Sequence, residues 1–200
     1  MRTNEGKLNV NLMVFILMNF ALSMTATVFN GILDIISISM NVSIANTGFL
    51  NSTYAYGGAT GVPITLLLFR KIERTKMLKT MLLITIAMNI SLIYTQGFSL
   101  LLILRFITGI SASSYAVLAT ATVAAISPRE KLGRSLALLI MGNALALVIG
   151  IPLTRSLISV LSWQGIFWIL SFIMIFSLLY FIIFLPSTGQ STASVDFKTE

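Results

Sequence analysis

The side chains that could do chemistry in this 200-residue sequence are few and narrowly placed. It contains no His and no Cys, which removes an imidazole proton shuttle, a thiolate nucleophile, a disulfide framework and the usual nitrogen and sulfur metal ligands. Proton chemistry would have to run on carboxylates. The neutral polar residues Asn19, Ser23, Thr27 and Asn30 lead by helical steps to one acid, Asp34, and so share one helix face. A second series, Arg105, Thr108, Ala112, Tyr115, Ala119 and Thr122, repeats the pattern. Faces of this kind can hydrogen-bond a polar solute along a path. Asp34, at the end of the first, reads either as a proton or polar gate or as a solvated acid at a loop edge. No Ser-His, Cys-His or paired-carboxylate constellation is present, so no enzyme, metal or cofactor is expected.

The elements that must carry these faces follow from composition. Hydrophobic residues make up 56% of the chain and charged residues 10%, against about 25% charged in an average soluble domain. The mean hydropathy is +0.96. Too little polar surface remains to coat a water-soluble globule. Apolar runs between charge clusters predict spans at about 10–36, 47–69, 80–96, 99–126, 135–158 and 165–185, each near the roughly 20 residues a membrane helix needs. Residues 1–9 precede this bundle of 10–185. Residues 186–200, polar and rich in Ser and Thr, read as a cytoplasmic tail and the start of a central linker.

With the N-terminus inside, eleven of the thirteen Lys and Arg fall on the cytoplasmic side. Only Arg105 and Arg155 lie within predicted spans. The positive-inside rule therefore places both termini in the cytoplasm of a multi-pass protein of the cell (plasma) membrane. It also accounts for the formal charge of +7 without nucleic acid as a partner.

Gly61-Val62-Pro63 in the second span and Gly150-Ile151-Pro152 in the fifth sit 89 residues apart. These spans run in opposite directions, so the pair fits an inverted repeat of three helices each. Gly57 and Gly61, and Gly142, Ala146 and Gly150, place small residues four apart, which lets helix backbones approach closely. The third and sixth spans are plainer and are expected to face lipid, leaving the first and fourth to line something wet. Arg105 carries a charge that is costly inside a bilayer unless it meets water, a partner or a ligand. Snorkelling to the outer interface is the ordinary alternative, and Arg155 reads as an interfacial anchor.

Several local patterns carry a family resemblance. Leu66 to Thr75, with Leu68, Lys71 and Arg74 in register, is similar to the second-to-third-span signature of the major facilitator superfamily, although Arg70 replaces its acid and Leu66 and Glu73 its glycines. Leu101, Arg105, Thr108, Gly109, Ser111, Ala112 and Ser113 resemble its fourth-span signature. Gly142 with Gly150-Ile151-Pro152 resembles the antiporter signature, and Leu161-Ser162-Trp163-Gln164 with Phe167-Trp168 its continuation. The Gly-x-Pro form in both spans looks most like drug and arabinose-type sugar efflux permeases. Those relatives often carry an acid in the first span, where this chain has Ala26.

The resemblance implies an all-α membrane protein of six transmembrane helices in an inverted 3+3 repeat, half of a major-facilitator-type fold. It implies export of a small-molecule substrate by alternating access, in the lipid bilayer and with a second six-helix half or a homodimer, as from a half-size or truncated transporter. The expected substrate path is Asn19, Ser23, Thr27, Asn30, Arg105, Thr108 and Tyr115. Gly57, Gly61, Pro63, Arg74, Gly109, Gly142, Gly150 and Pro152 would serve packing and gating. The reading from another class is a non-transporting membrane scaffold or regulatory subunit derived from a transporter half.

Overall fold

A computed structural model describes residues 2–69 and 71–185, with side chains from residue 9 onward. The polar tail of 186–200 and Arg70 lie outside the described residues. The rest is helical: α1 (Arg2–Thr27), α2 (Leu33–Met40), α3 (Ile44–Thr47), α4 (Phe49–Leu68), α5 (Arg74–Ile93), α6 (Phe98–Ile126), α7 (Leu132–Leu157) and α8 (Trp163–Phe184). Among the described residues there is no strand. Five helical segments are long and apolar enough to cross a membrane. The second predicted span, α4, continues α3 as one segment, Ile44–Leu68, and passes that test only together with α2, from which that segment is bent by 113°. Asn51, Ser52, Thr53, Tyr54 and Tyr56 dilute its apolar run, yet its 20 residues reach about 30 Å, enough for the hydrocarbon core.

Helix pairing shows the repeat. α4 packs on α6 as α7 packs on α1, α5 packs on α6 as α8 packs on α1, and α5 and α8 pack on each other. Exchanging the first three spans for the last three leaves this pairing unchanged. Glycines set the two closest pairs. A Cβ on Gly57 would run into the Phe106 carbonyl oxygen, and one on Gly109 into that of Tyr54, so α4 and α6 can touch only backbone to backbone. Gly142 does the same for α7 against the Ile16 carbonyl of α1. Gly61 and Gly150, each two residues before a helix proline, instead accept side chains, Ile110 and Met24. α5 and α8 each bury one face and turn the other outward, with Phe172, Phe176 and Ile183 among the exposed apolar residues of α8.

Two boundaries differ from the sequence reading. The third helix begins at Arg74 rather than near residue 80, because Arg74, Lys76 and Lys79 occupy its first turns, where long basic side chains can reach the interface while their stems stay with the helix. The first span is broken: α1 gives way at Thr27 to a 3-10 turn, Val28–Gly31, before α2. The stretch from Val28 to Ile36 contains no proline, and the turn-forming pair Asn30-Gly31 is its signal of this break.

Candidate substrate cavity

The break in the first span creates a chemical need. The last four carbonyls of an α-helix lack helical partners, and inside a bilayer they must be satisfied within the protein. Thr25 and Ala26 lie in that last turn of α1. Arg105, from α6, supplies the donors: Nη1 to the Thr25 carbonyl at 2.8 Å and Nη2 to the Ala26 carbonyl at 3.0 Å. Its Nε reaches the Leu50 carbonyl of α4 at 3.3 Å. The guanidinium carbon lies 4.8 Å from the Phe29 ring centroid and 4.6 Å from that of Tyr54, within cation–π range. A positive charge at a helix C-terminus is favoured by the helix dipole. Arg105 is fully buried and ties together three helices at this point.

On the other side of this knot, α1, α4, α6 and α7 enclose a cavity of about 290 Å³. Its polar wall is formed by Asn19, Ser23 and Thr27 of α1, Tyr54 of α4, Ser113 and Thr120 of α6, and Asn143 of α7, none of them charged. Ala26, Ala112 and Ala116 keep it open by their small size. Thr120, Ile140 and Asn143 are exposed, so the cavity opens at the α7 side. Two hydrogen bonds fix α7 along this wall: Asn19 Nδ2 to the Leu139 carbonyl at 3.0 Å and Ser23 Oγ to Asn143 Oδ1 at 2.8 Å.

The structure thus brings Asn19, Ser23 and Thr27 together at the cavity and sorts the other expected path residues elsewhere. Arg105 stands behind the wall, in contact with its residues Ala26 and Tyr54. Thr108 is buried with its hydroxyl returned to the Leu104 carbonyl at 2.7 Å, and Tyr115 is fully buried in the bundle. The cavity face of α6 is Ala112, Ser113, Ala116 and Thr120, rotated from the stripe of Thr108, Tyr115 and Thr122. Periodicity alone cannot separate these faces, because a buried Thr can satisfy its hydroxyl on the preceding turn, as Thr108 and Thr122 do.

Asn30 accepts from Asn51 Nδ2, joining the 3-10 turn to α4. Asp34 stands half-exposed in the first turn of α2, just after the 3-10 turn, and is paired there: Arg155 donates to both its oxygens, at 2.8 and 2.9 Å, and to the Gly31 carbonyl at 3.0 Å. Arg74 Nη1 donates to the Ala121 carbonyl at 3.2 Å, fastening the start of α5 to the last turns of α6. Pro63 and Pro152 lie inside α4 and α7. Tyr54, Ser113, Thr120 and Asn143 join the wall unanticipated. For Asn143 a signal existed: an amide in mid-span beside Gly142.

Residues 15–198 match the family model of the Major Facilitator Superfamily. The chain belongs to that superfamily. It is 29% identical over 158 residues to a probable sugar efflux transporter of Helicobacter pylori strain G27, a match covering 76% of this chain and 40% of the relative. It is 30% identical over 138 residues to a chloramphenicol resistance protein of Streptomyces lividans, covering 69% of this chain and 35% of the relative. In fold it is similar to the crystal structure of the human organic anion transporter MFSD10 (TETRAN), with a TM-score of 0.66 at 16% identity, over 92% of this chain and 48% of that one. The chain spans less than half the length of each of these proteins. The six helices have the fold of one half of a major-facilitator transporter, and the chain is a multi-pass membrane protein.

Proposed function

We propose that these helices form half of a transporter that exports a neutral, polar small molecule by alternating access. The observation that carries this reading is the uncharged cavity walled by Asn19, Ser23, Tyr54, Ser113 and Asn143 between α1, α4, α6 and α7. Neutral amides and hydroxyls offer donors and acceptors to a hydroxyl-rich or amide-bearing solute without the cost of stripping water from a charge. Substrates of the sugar or chloramphenicol type, named for two relatives, have that chemistry. The cavity opens beside α7, whose apolar residues Leu147, Val148 and Ile149 are exposed. A second six-helix half, or a second copy, would close the cavity there and give the rocking motion its counterpart. The basic ends of α5 and the α6–α7 connection would face the cytoplasm, in the plasma membrane.

The test is accumulation of labelled sugars and of chloramphenicol in an efflux-deficient bacterium expressing the chain, alone and with a C-terminal six-helix half of a relative. Lower accumulation that is lost in Ser23→Trp, which fills the cavity, is expected. Unchanged accumulation across both solute classes with the second half present would defeat the reading.

A further inference from the structure

A second cavity, also about 290 Å³, is lined by α4, α5 and α6, shares no residue with the first and is of a different chemistry. α4 and α5 both pack on α6 but scarcely on each other, which leaves a cleft between them floored by α6. Phe69, Ile72, Met77, Ile84, Ile107 and Ile110 line it. It starts at the α4–α5 connection and runs inward along α5: Met77 and Ile84 are seven residues apart, about 10 Å along a helix. Its inner end reaches Ser111, whose hydroxyl accepts from Thr85 at 2.9 Å near the middle of α6. Phe69 and Ile72 at the mouth are each 41% exposed, and Leu68 and Leu83 beside it are exposed as well, so the cleft is open sideways to the hydrocarbon.

The mouth is also basic. Lys71 and Lys76 each adjoin a lining residue in sequence, Ile72 and Met77, whereas Lys79 stands on the far side of α5 from Met77 and Ile84; Glu73, 3.7 Å from the Lys76 amine, is the one acid among residues 71–79. An apolar slot that begins under a basic rim and ends near mid-membrane has the two-part chemistry of an anionic phospholipid. Each Lys or Arg near the surface attracts an anionic headgroup, while the slot shelters an acyl chain. The geometry points to a specific site for one anionic glycerophospholipid, its acyl chain between α4 and α5 over α6 and its phosphate against Lys71 and Lys76. This site is separate from the proposed substrate cavity, and its test does not depend on transport.

The full chain is placed in nanodiscs containing phosphatidylglycerol with a photoactivatable acyl chain, or phosphatidylcholine with the same chain, and adducts are mapped by peptide mass spectrometry. Phosphatidylglycerol should label residues 69–84 and 107–111 about tenfold more than phosphatidylcholine does. Thr80→Trp, which fills the slot from a partly open position, should remove that labelling. Lys71→Gln with Lys76→Gln should bring the two lipids to parity while leaving the phosphatidylcholine level unchanged, and Lys79→Gln alone should leave the preference in place. Circular dichroism and gel filtration matching the parent chain qualify each variant. Equal labelling by both lipids in the parent chain, or labelling indifferent to Thr80→Trp and to the paired Lys71→Gln and Lys76→Gln, would reduce the cleft to ordinary bilayer contact and overturn the site. Adducts between protein chains through these residues would assign the cleft to a second chain, and would overturn it too.

Discussion

Arg105 donates from Nη2 to the main-chain carbonyl of Ala26, and Ala26 itself lines the cavity. Arg105, the one fully buried cation among the described residues, therefore shapes the wall through the backbone of α1 rather than by reaching a solute. This predicts a stability phenotype. Arg105→Ala leaves the Thr25 and Ala26 carbonyls at the end of α1 short of a donor, takes a further donor from the Leu50 carbonyl, and should cost about 2–4 kcal/mol, the penalty for buried groups left unsatisfied. Arg105→Lys should recover only part of it, because a compact ammonium cannot span the three acceptors as the planar guanidinium does. Thermal unfolding in detergent measures both. An Ala variant as stable as the parent would mean that the three bonds do not hold the break in the first span.

Close approach of helices makes a graded prediction for glycine. Gly57→Ala and Gly109→Ala place a Cβ on backbone oxygens that cannot move aside, and each should cost at least about 1–3 kcal/mol, as overpacking does. Gly150→Ala meets the flexible Met24 side chain and should cost less, while Gly133→Ala, with nothing within 4 Å, should be close to neutral. The order of midpoints in a denaturation series checks this. A neutral Gly109→Ala would contradict the backbone contact with Tyr54.

How much of this was legible beforehand can be judged residue by residue. The face of Asn19, Ser23 and Thr27 was readable because a helical step of four is fixed by geometry and polar residues in a span stand out. The paired placement of Gly61 and Gly150 was readable for the same reason. The partners of Arg105 were not, because carbonyls carry no sequence signature and those it meets lie 55 to 80 residues away. The Asp34–Arg155 pair was hidden by a separation of 121 residues. Asn143 went unread because the fifth span drew attention to its small residues, although an unpaired amide in a bilayer needs a reason as much as a charge does.

At the end of α7 away from its basic start, Arg155 grips Asp34 with both guanidinium nitrogens, joining α7 to α2. The side chains are 55% and 49% exposed, so salt should weaken the pair. Asp34→Arg and Arg155→Asp should each lower the melting temperature, and the double exchange should restore most of the loss at low ionic strength. A double exchange no better than the singles would show that the two side chains act independently.

Asn143 offers a test of affinity apart from folding. It is exposed at the cavity rim, and water can replace its bond from Ser23, so Asn143→Ala should leave stability nearly unchanged. For a substrate that binds the wall, losing this amide should raise KM about five- to tenfold, the worth of one hydrogen bond. Flux measured against substrate concentration, with the second half present, separates KM from kcat. A fall in kcat alone would move Asn143 from binding to the transport step.

A water-filled cavity between α1, α4, α6 and α7 that admits solute is directly measurable, because the chain has no cysteine of its own. Single cysteines are introduced at Ser23, Ser113 and Asn143 in the wall and at Thr108 and Ser171 in the buried bundle, then exposed to a membrane-impermeant maleimide in sealed vesicles of known orientation. Labelling is expected at the three wall positions, slowed by a transported solute, and none at Thr108 or Ser171. Wall cysteines as unreactive as the buried ones, from either side of the membrane, would describe a dry packed bundle and contradict a transport cavity.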